Sequence, residues 1–159
     1  MRFCRKYYAG KGKNEMKKNT PKSTNEVSEP CTFSLGGFPQ KVLIEEKKKS
    51  SPVVLTLHGG SGTPIPFSVG CRGLFPAFTD EFLMVYWDQL GCGSNYHVID
   101  DTFSIDSFVC MTEELVEQIK AKFPQNKIMI FSTSWGSVLS ARLLEKIHMP
   151  LTEWLHADR

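Results

Sequence analysis

Three short apolar segments alternate with segments of helical periodicity, and this alternation most strongly limits the folds open to the chain. The apolar segments are Val53–Leu57, Phe82–Trp87 and Lys127–Phe131, each rich in β-branched, aromatic or other apolar residues. Nearly continuous apolar strands are typical of parallel sheets that are covered on both faces. Right-handed crossovers through the intervening helices predict an α/β fold, a mostly parallel sheet with helices on both faces.

The strongest predicted helix follows the second of these segments. Ser104 can cap it, Asp106 lies in its first turn, and Pro124 follows its end. Its apolar face is formed by residues that recur every three or four positions, namely Ile105, Val109, Thr112, Val116, Ile119 and Phe123. We expect a weaker helix over 69–80 and a short amphipathic helix over 138–147.

The N-terminal part of the chain differs in composition from the rest. Residues 1–30 are rich in Lys, Asn, Ser and Thr and hold the basic excess, so we predict a disordered tail there and a folded core over 31–159. Within that core, Thr32–Leu35 and Lys41–Ile44 flank the turn residues Gly36-Gly37-Phe38-Pro39. This pattern predicts a hairpin of edge strands.

Composition and cysteine spacing argue against several classes of function. A net charge of +2 gives no reason to expect a nucleic-acid partner, and no apolar run approaches the roughly 18 residues of a membrane span. The five cysteines form an odd set without a C-x-x-C pair, which favours a reducing cytoplasm over disulfides and predicts no metal site. We expect no cofactor, and the oligomeric state stays open.

The loop after the third apolar segment has the form small-x-Ser-x-Gly. It reads Ser132-Thr133-Ser134-Trp135-Gly136 and leads into the last predicted helix. In a nucleophile elbow, a sharp strand-to-helix turn lifts the serine above the sheet, and small residues on either side relieve backbone crowding. We therefore predict that Ser134 is a catalytic nucleophile. The alternative is that a serine at a helix N-terminus simply caps the helix.

The loop after the first apolar segment complements this serine. It reads His58-Gly59-Gly60-Ser61-Gly62, and a glycine-rich turn lets backbone N–H groups approach a substrate closely. We expect the N–H groups of Gly60 and Trp135 to form an oxyanion hole, because N–H groups in the first turn of a helix lack intrahelical partners. The alternative role of these glycines is only to turn the chain. His58 ends a strand, so we expect it to brace the loop rather than act as a base.

Together, three motifs resemble the proline iminopeptidase (prolyl aminopeptidase) branch of the α/β-hydrolase superfamily. They are HGGSG at 58–62, WDQLGCG at 87–93 and SWGS at 134–137, where the branch typically reads HGGPG, DQRGxGxS and GxSWG. The resemblance runs from about residue 40 to 148 and implies the N-terminal part of an α/β-hydrolase fold. It also implies that His58, Gly59, Asp88 and Gly136 shape the loops around the nucleophile.

The chain departs from the typical motifs at four positions. Ser61 replaces Pro, Leu90 replaces Arg, Asn95 lies near the expected Ser, and Ser132 replaces the first Gly of the nucleophile motif. Ser132 adds a side chain at a point where the turn is crowded. These departures bear on the branch more than on the superfamily.

The resemblance implies release of an N-terminal residue, often proline, from short peptides through an acyl-enzyme on Ser134. A general-base His and an orienting Asp should follow the nucleophile in the chain, in the order Ser, Asp, His. The branch also carries a helical cap, inserted later in the chain, with acidic groups for the free amine of the substrate. A small peptide or another acyl compound is the expected partner.

Few residues follow Ser134, so we expect a core truncated after the nucleophile helix, without the cap and the C-terminal strands. His148, His156 and Asp158 follow that helix so closely that only an unprecedented arrangement lets them complete a triad. The strand before Ser134 should then keep an unpaired edge. We expect the chain to be inactive or nearly so, because a serine without a base loses most of its activation.

Two other interpretations stay open. An esterase, lactonase or related acyl hydrolase can use the same scaffold, since a fold does not set the substrate. The chain could also be a non-catalytic fragment that keeps the turn around Ser134 only by descent. An epoxide hydrolase or dehalogenase with an aspartate nucleophile is disfavoured, because serine occupies the nucleophile position.

Overall fold

The computed structural model describes residues 27–60, 76–147 and 154–156, and the side chains of 28–60 and 77–146 within them. The strands are β1 Val27–Leu35, β2 Phe38–Glu46, β3 Val53–Leu57, β4 Leu83–Trp87, β5 Ile128–Ser132 and β6 Trp154–His156. The helices are α1 Pro76–Glu81, α2 Ile105–Lys122 and α3 Trp135–Ile147. A short 3-10 turn covers Gly93–Asn95.

In the described part of the chain, the six strands form one sheet in the order β1-β2-β4-β3-β5-β6. Strands β3 to β6 run parallel, while β1 and β2 are antiparallel to their neighbours. The predicted sheet is therefore confirmed as mostly parallel. Every residue of β3 and β4 is buried, as expected of central strands that are covered on both faces.

The two faces of the sheet carry separate apolar clusters. On one face, α2 and α3 pack on β3 and β4 through a large cluster that includes Leu55, Trp87, Leu115 and Leu139. The opposite face holds a smaller cluster of Leu43, Val54, Met84 and Tyr86, joined by Phe82 at the end of α1. Helices on both faces are thus confirmed. Of the predicted helix over 69–80, residues 76–80 are helical, and the others lie outside the described residues.

The predicted hairpin is confirmed, with longer strands and a shorter turn than expected. Gly36 and Gly37 have φ of 58° and 81°, which fits the two-residue turns that suit the twist of a hairpin. Pro39 lies inside β2, opposite Ser34. The prediction that both strands are edge strands is wrong for β2, which also pairs with β4.

The predicted boundary of the N-terminal tail at residue 30 is too far along the chain. Strand β1 begins at Val27, whose backbone pairs opposite Glu46, and the Ser28 hydroxyl donates to Glu45 Oε1 at 3.3 Å. Pro30 is compatible with this strand because β1 is an edge strand, where a missing N–H leaves no partner unsatisfied. Residues 1–26 of the predicted tail lie outside the described residues.

One short strand, β6, continues the sheet beyond the helix that follows Ser134, and the predicted N-terminal part of the fold is otherwise confirmed. Strand β6 pairs in parallel with β5, with Ile130 opposite Trp154 and Ser132 opposite His156. The predicted unpaired edge of β5 is therefore covered over these residues. Three residues are too few to show a period-2 or apolar pattern, so this strand could not be predicted from local sequence.

Candidate active site

A sharp turn connects β5 to α3 and carries Ser134. Strand β5 ends at Ser132 and α3 begins at Trp135, so only two residues lie between them. Ser134 has φ of 50°, and within the described ranges it is the one non-glycine residue with a left-handed backbone. A non-glycine residue in this region costs about 1–3 kcal/mol and persists only where the surroundings enforce it. The serine side chain is exposed at the carboxyl end of β5.

Two glycines allow the backbone around this turn to approach closely. A Cβ on Gly136 would lie 2.2 Å from the Leu57 carbonyl oxygen and 2.9 Å from that of His58, so α3 starts directly against the end of β3. A Cβ on Gly59 would lie 2.9 Å from the Cβ of Ser134. The glycine-rich loop after β3 therefore touches the turn that carries the serine.

The two predicted oxyanion donors lie on these adjoining segments. Gly60 follows Gly59 and has φ of 58°, a conformation that favours glycine. Trp135 is the first residue of α3. In the described turn, the backbone N–H groups of Gly136 and Ser137 donate to Thr133 and Ser134 at 2.9 Å, and no such bond uses the N–H of Trp135. That N–H is therefore available to a ligand.

His58 is buried and uses its ring to hold the loops together. Its Nε2 accepts a hydrogen bond from the Gln89 backbone N–H at 2.9 Å, so this nitrogen carries no proton. Its Nδ1 lies 3.1 Å from the Gly59 carbonyl oxygen and donates to it in that tautomer. With both ring nitrogens engaged, His58 braces the loop, as we expected, and is not placed as a free base.

Gln89 joins three loops, a role that was not predicted from the sequence. Its Nε2 donates to the His58 carbonyl oxygen at 3.1 Å, and its Oε1 accepts from the Trp135 indole at 2.9 Å. The side chain is buried. Gln89 thus fixes the indole beside Ser134 to the loops that follow β3 and β4. The sequence signal available for this role was its position next to Asp88 in the motif at 87–93.

Asp88 and Asn95 shape the loop that follows β4. Asp88 Oδ2 accepts from the Ser94 backbone N–H at 3.0 Å and from its hydroxyl at 2.9 Å. Asn95 Nδ2 donates to the carbonyl oxygens of Asp88 and Lys41, and its Oδ1 accepts from the Lys41 N–H. Asn95, which stands where the typical motif has a serine, therefore ties the loop to β2. Its amide offers the two donors and the acceptor that these three bonds need, whereas a serine hydroxyl has one donor.

Ser132, another departure from the typical motif, is fully buried and has a hydrogen-bond partner. Its hydroxyl lies 3.0 Å from that of Ser140 on α3, and Ser140 donates to the Ser137 carbonyl oxygen. Ser140 has one hydroxyl proton, so Ser132 is the donor in the first bond. The hydroxyl pair lets a serine occupy the crowded position before the turn.

A small apolar pocket adjoins the turn on the side of α2. It has a volume of about 250 Å³, and its main apolar lining residues are Leu90, Cys92, Ile99, Phe108 and Trp135. Leu90 takes the place of the arginine in the typical motif, so no positive charge from that position enters the pocket. Tyr96 and Val98, in the loop that follows β4, are exposed apolar side chains.

The remaining predictions on the site concern groups beyond the turn. The backbone of His156 lies opposite Ser132, but its side chain, His148 and Asp158 lie outside the described residues.

The described side chains include no group of three or more metal-binding residues. In the same part of the chain, no helix combines the length and apolarity required to cross a membrane. Cys31 and Cys110 are free thiols, and Cys4 and Cys71 lie outside the described residues.

Two curated proteins are similar to this chain. A probable aminopeptidase, YbaC, of Bacillus subtilis is 30% identical over 117 residues, which cover 72% of this chain and 36% of that protein. A proline iminopeptidase of Heyndrickxia coagulans is 33% identical over 98 residues, or 61% of this chain and 31% of that protein. The chain thus spans about a third of the length of these relatives. No family model matches the sequence.

Comparison with solved structures agrees on the fold. The epoxide hydrolase VrEH1 of Vigna radiata superposes with a TM-score of 0.64 at 18% identity, covering 81% of this chain and 38% of its own. The sheet order, the strand-to-helix turn at Ser134 and these similarities together define an α/β-hydrolase, and the chain belongs to that superfamily. Within the superfamily, its sequence is similar to the proline iminopeptidases, as the three motifs predict.

Proposed function

We propose that this protein is a proline iminopeptidase-like serine hydrolase in which Ser134 is the nucleophile. The observation that carries the proposal is the left-handed backbone of Ser134, exposed between a buried strand and a helix N-terminus and in contact with a glycine-rich loop. A strained, exposed serine at this place suits attack on a carbonyl carbon. A helix cap alone does not require the strain, since caps normally have extended backbone.

In this proposal, Ser134 Oγ gives up its proton to solvent and attacks the carbonyl carbon of the scissile bond. That bond breaks, the remaining peptide leaves with a protonated amine, and water later hydrolyses the acyl-enzyme to regenerate the serine hydroxyl. The backbone N–H groups of Gly60 and Trp135 stabilise the oxyanion that develops during the attack. Each such donor contributes up to several kcal/mol of transition-state stabilisation, about 2.7–4 kcal/mol in a well-characterised serine protease. The N-terminus of α3 adds a favourable partial charge.

The described residues hold no general base for this reaction. His58 has both ring nitrogens engaged, and the ring of His97 packs on Phe38 and Phe103 at centroid distances of 4.7 and 6.0 Å. No described side chain assists the attack of Ser134, and we propose that the described residues by themselves support at most the weak catalysis of an oxyanion hole.

The substrate class follows from the relatives and the apolar pocket. Proteins named proline iminopeptidase or probable aminopeptidase are similar in sequence to this chain, and the pocket beside Trp135 is apolar and small enough for one compact side chain. We propose that the substrate is a short peptide whose N-terminal residue, often proline, becomes the acyl group on Ser134.

A fluorophosphonate probe tests the nucleophile directly. We expect slow labelling of the purified chain, no labelling of Ser134→Ala, and unchanged labelling of Ser137→Ala, because the Ser137 hydroxyl is buried. Mass spectrometry of the labelled peptide identifies the site. Labelling that persists in Ser134→Ala, or that never appears, overturns the assignment.

Protection from the probe tests the substrate class. An excess of a prolyl arylamide should slow the labelling of Ser134, because it occupies the same site. Protection by short acyl esters but not by the prolyl arylamide would instead favour an esterase.

A further inference from the structure

A second cavity lies at the end of the sheet that is farthest from Ser134. Its volume is about 440 Å³, within the range of small-molecule sites, and its walls come from β1, β2, the loop that follows β2, and the C-terminal end of α2. Asn126 in its wall precedes the amino end of β5, whereas Ser134 follows the carboxyl end. This cavity is therefore separate from the candidate active site.

Glu46 gives this cavity an unusual buried charge. The side chain lies in the cavity wall and is only 6% exposed, and its Oε2 accepts no hydrogen bond from any described residue. A buried carboxylate oxygen without a donor is costly, and native structures normally pair such a group with a cation or a hydrogen-bond donor. The backbone carbonyls at the end of α2 add partial negative charge on the same side. This part of the cavity suits an ammonium group.

The opposite charge stands at the rim of the same cavity. Lys49 and Lys122 both line it, and both are exposed. The loop that carries Lys49 is held in place, because Asn126 Nδ2 donates to the carbonyl oxygens of Lys49 and Ser51 at 2.6 and 2.7 Å. Two lysines oppose a simple cation but attract an anionic group attached to it.

The remaining wall is mostly apolar, and it also holds the exposed carboxylate of Glu29 and the amide of Gln125. It includes Cys31 and Ile44 from the hairpin and Phe123 from the end of α2. These side chains offer contact to an aliphatic group placed between the buried carboxylate and the rim lysines.

We propose that this cavity binds an α-amino acid with an apolar side chain as its zwitterion. The ammonium group faces the Glu46 carboxylate, the ligand's own carboxylate faces Lys49 and Lys122, and the side chain packs on Ile44 and Phe123. The proposal does not depend on the role of Ser134.

Calorimetric titration of the full chain with three matched compounds tests this assignment. L-leucine carries both charges, leucinamide only the positive one, and N-acetyl-leucine only the negative one. We expect L-leucine to bind, and each of the other two to bind at least about tenfold more weakly, because each loses one charged partner. Equal binding of leucinamide would show a simple amine site and overturn the proposal, as would the absence of binding by L-leucine.

Variants place the binding in the cavity. Glu46→Gln should weaken L-leucine binding at least about tenfold, and Lys122→Met by a smaller factor, since Lys122 is exposed. Glu117→Gln, an exposed carboxylate elsewhere on α2, is the matched control. If Glu46→Gln does not fold, Lys122→Met still tests whether L-leucine binds in this cavity. Unchanged binding in the cavity variants, or loss of binding in Ser134→Ala, would contradict the assigned location.

Discussion

The two sides of the turn at Ser134 differ in how firmly they are held. On the β4 side, every residue of β3 and β4 is buried, and the loops beyond them are linked through His58, Asp88 and Gln89. On the β5 side, Phe131 is 36% exposed and Val138 on α3 is 42% exposed. The position of Ser134 is therefore set mainly by contacts toward β3 and β4, while the β5 side presents apolar surface.

This difference has a physical cause in the order of the strands. Strands β3 and β4 lie at the centre of the sheet and receive α2 and α3 on one face, whereas β5 is followed in the described sheet only by the three residues of β6. Fewer neighbours leave more of each side chain exposed. Substitutions on the two sides should therefore differ in their effect on stability.

The largest effect is expected where α3 meets β3. In Gly136→Ala, the new Cβ meets backbone atoms of Leu57 and His58 that cannot move without displacing β3. Ordinary overpacking costs about 1–3 kcal/mol, and this backbone clash should cost about 4 kcal/mol or more. Urea unfolding measures the loss.

Ser137→Ala is the control for this substitution, one position further along α3. The Ser137 hydroxyl is buried without a partner among the described residues, so its removal should leave stability unchanged or slightly raised. A Gly136→Ala protein as stable as Ser137→Ala would show that the turn is not held against β3.

Two neighbouring residues of α3 compare the buried and exposed sides directly. Leu139 is fully buried against the central strands, and Val138 is 42% exposed. Leu139→Ala should lower the free energy of unfolding by about 3 kcal/mol, whereas Val138→Ala should change it by about 0.5 kcal/mol or less. Similar losses in the two variants would mean that the β5 side is covered in solution.

The next effect concerns the link between the loops. Gln89→Leu removes the bond to the His58 carbonyl and leaves the Trp135 indole N–H without its acceptor, so we expect a loss of about 2 kcal/mol. The tryptophan emission should also change as the indole loses this partner. Gln118→Leu, which removes an exposed bond to Ser34, is the control and should cost less. An unchanged emission and stability in Gln89→Leu would contradict the bridging role.

The sequence predicted the central strands and the turn because both leave strong local signals. Continuous apolar segments predicted β3 and β4, and the small-x-Ser-x-Gly pattern located the strand-to-helix turn at Ser134. The apolar period in α2 identified Val109, Thr112 and Ile119 as buried. Local patterns of this kind need no knowledge of distant contacts.

The sequence did not predict features that depend on distant partners. Ile105 belongs to the apolar period but is 44% exposed, because burial at the first turn of α2 depends on what packs against it. Gln89 acquires its role only when two loops from elsewhere in the chain meet it. Strand β6 is defined by pairing with β5, and three residues carry no pattern of their own.

The smallest expected effect lies at the outer edge of the β4 side, at Asp100. Hydrogen bonds from the Thr102 hydroxyl and then from its backbone N–H hold the pKa of the Asp100 carboxyl below its usual value of 3.8. A lowered folded-state pKa stabilises the fold above the unfolded value, and that contribution is lost as the pH falls through the folded-state pKa. The pH window of this effect therefore lies below about 3.8.

Thr102→Val tests this contact, since it removes the hydroxyl and keeps the shape of the side chain. Carboxyl NMR titration should show the pKa of Asp100 rising toward 3.8, while Thr102→Ser should keep it low. Stability above pH 5 should barely change, because the carboxyl is exposed and solvent screens its interactions. A large loss of stability in Thr102→Val would instead show that this exposed edge is held as firmly as the buried loop around Gln89.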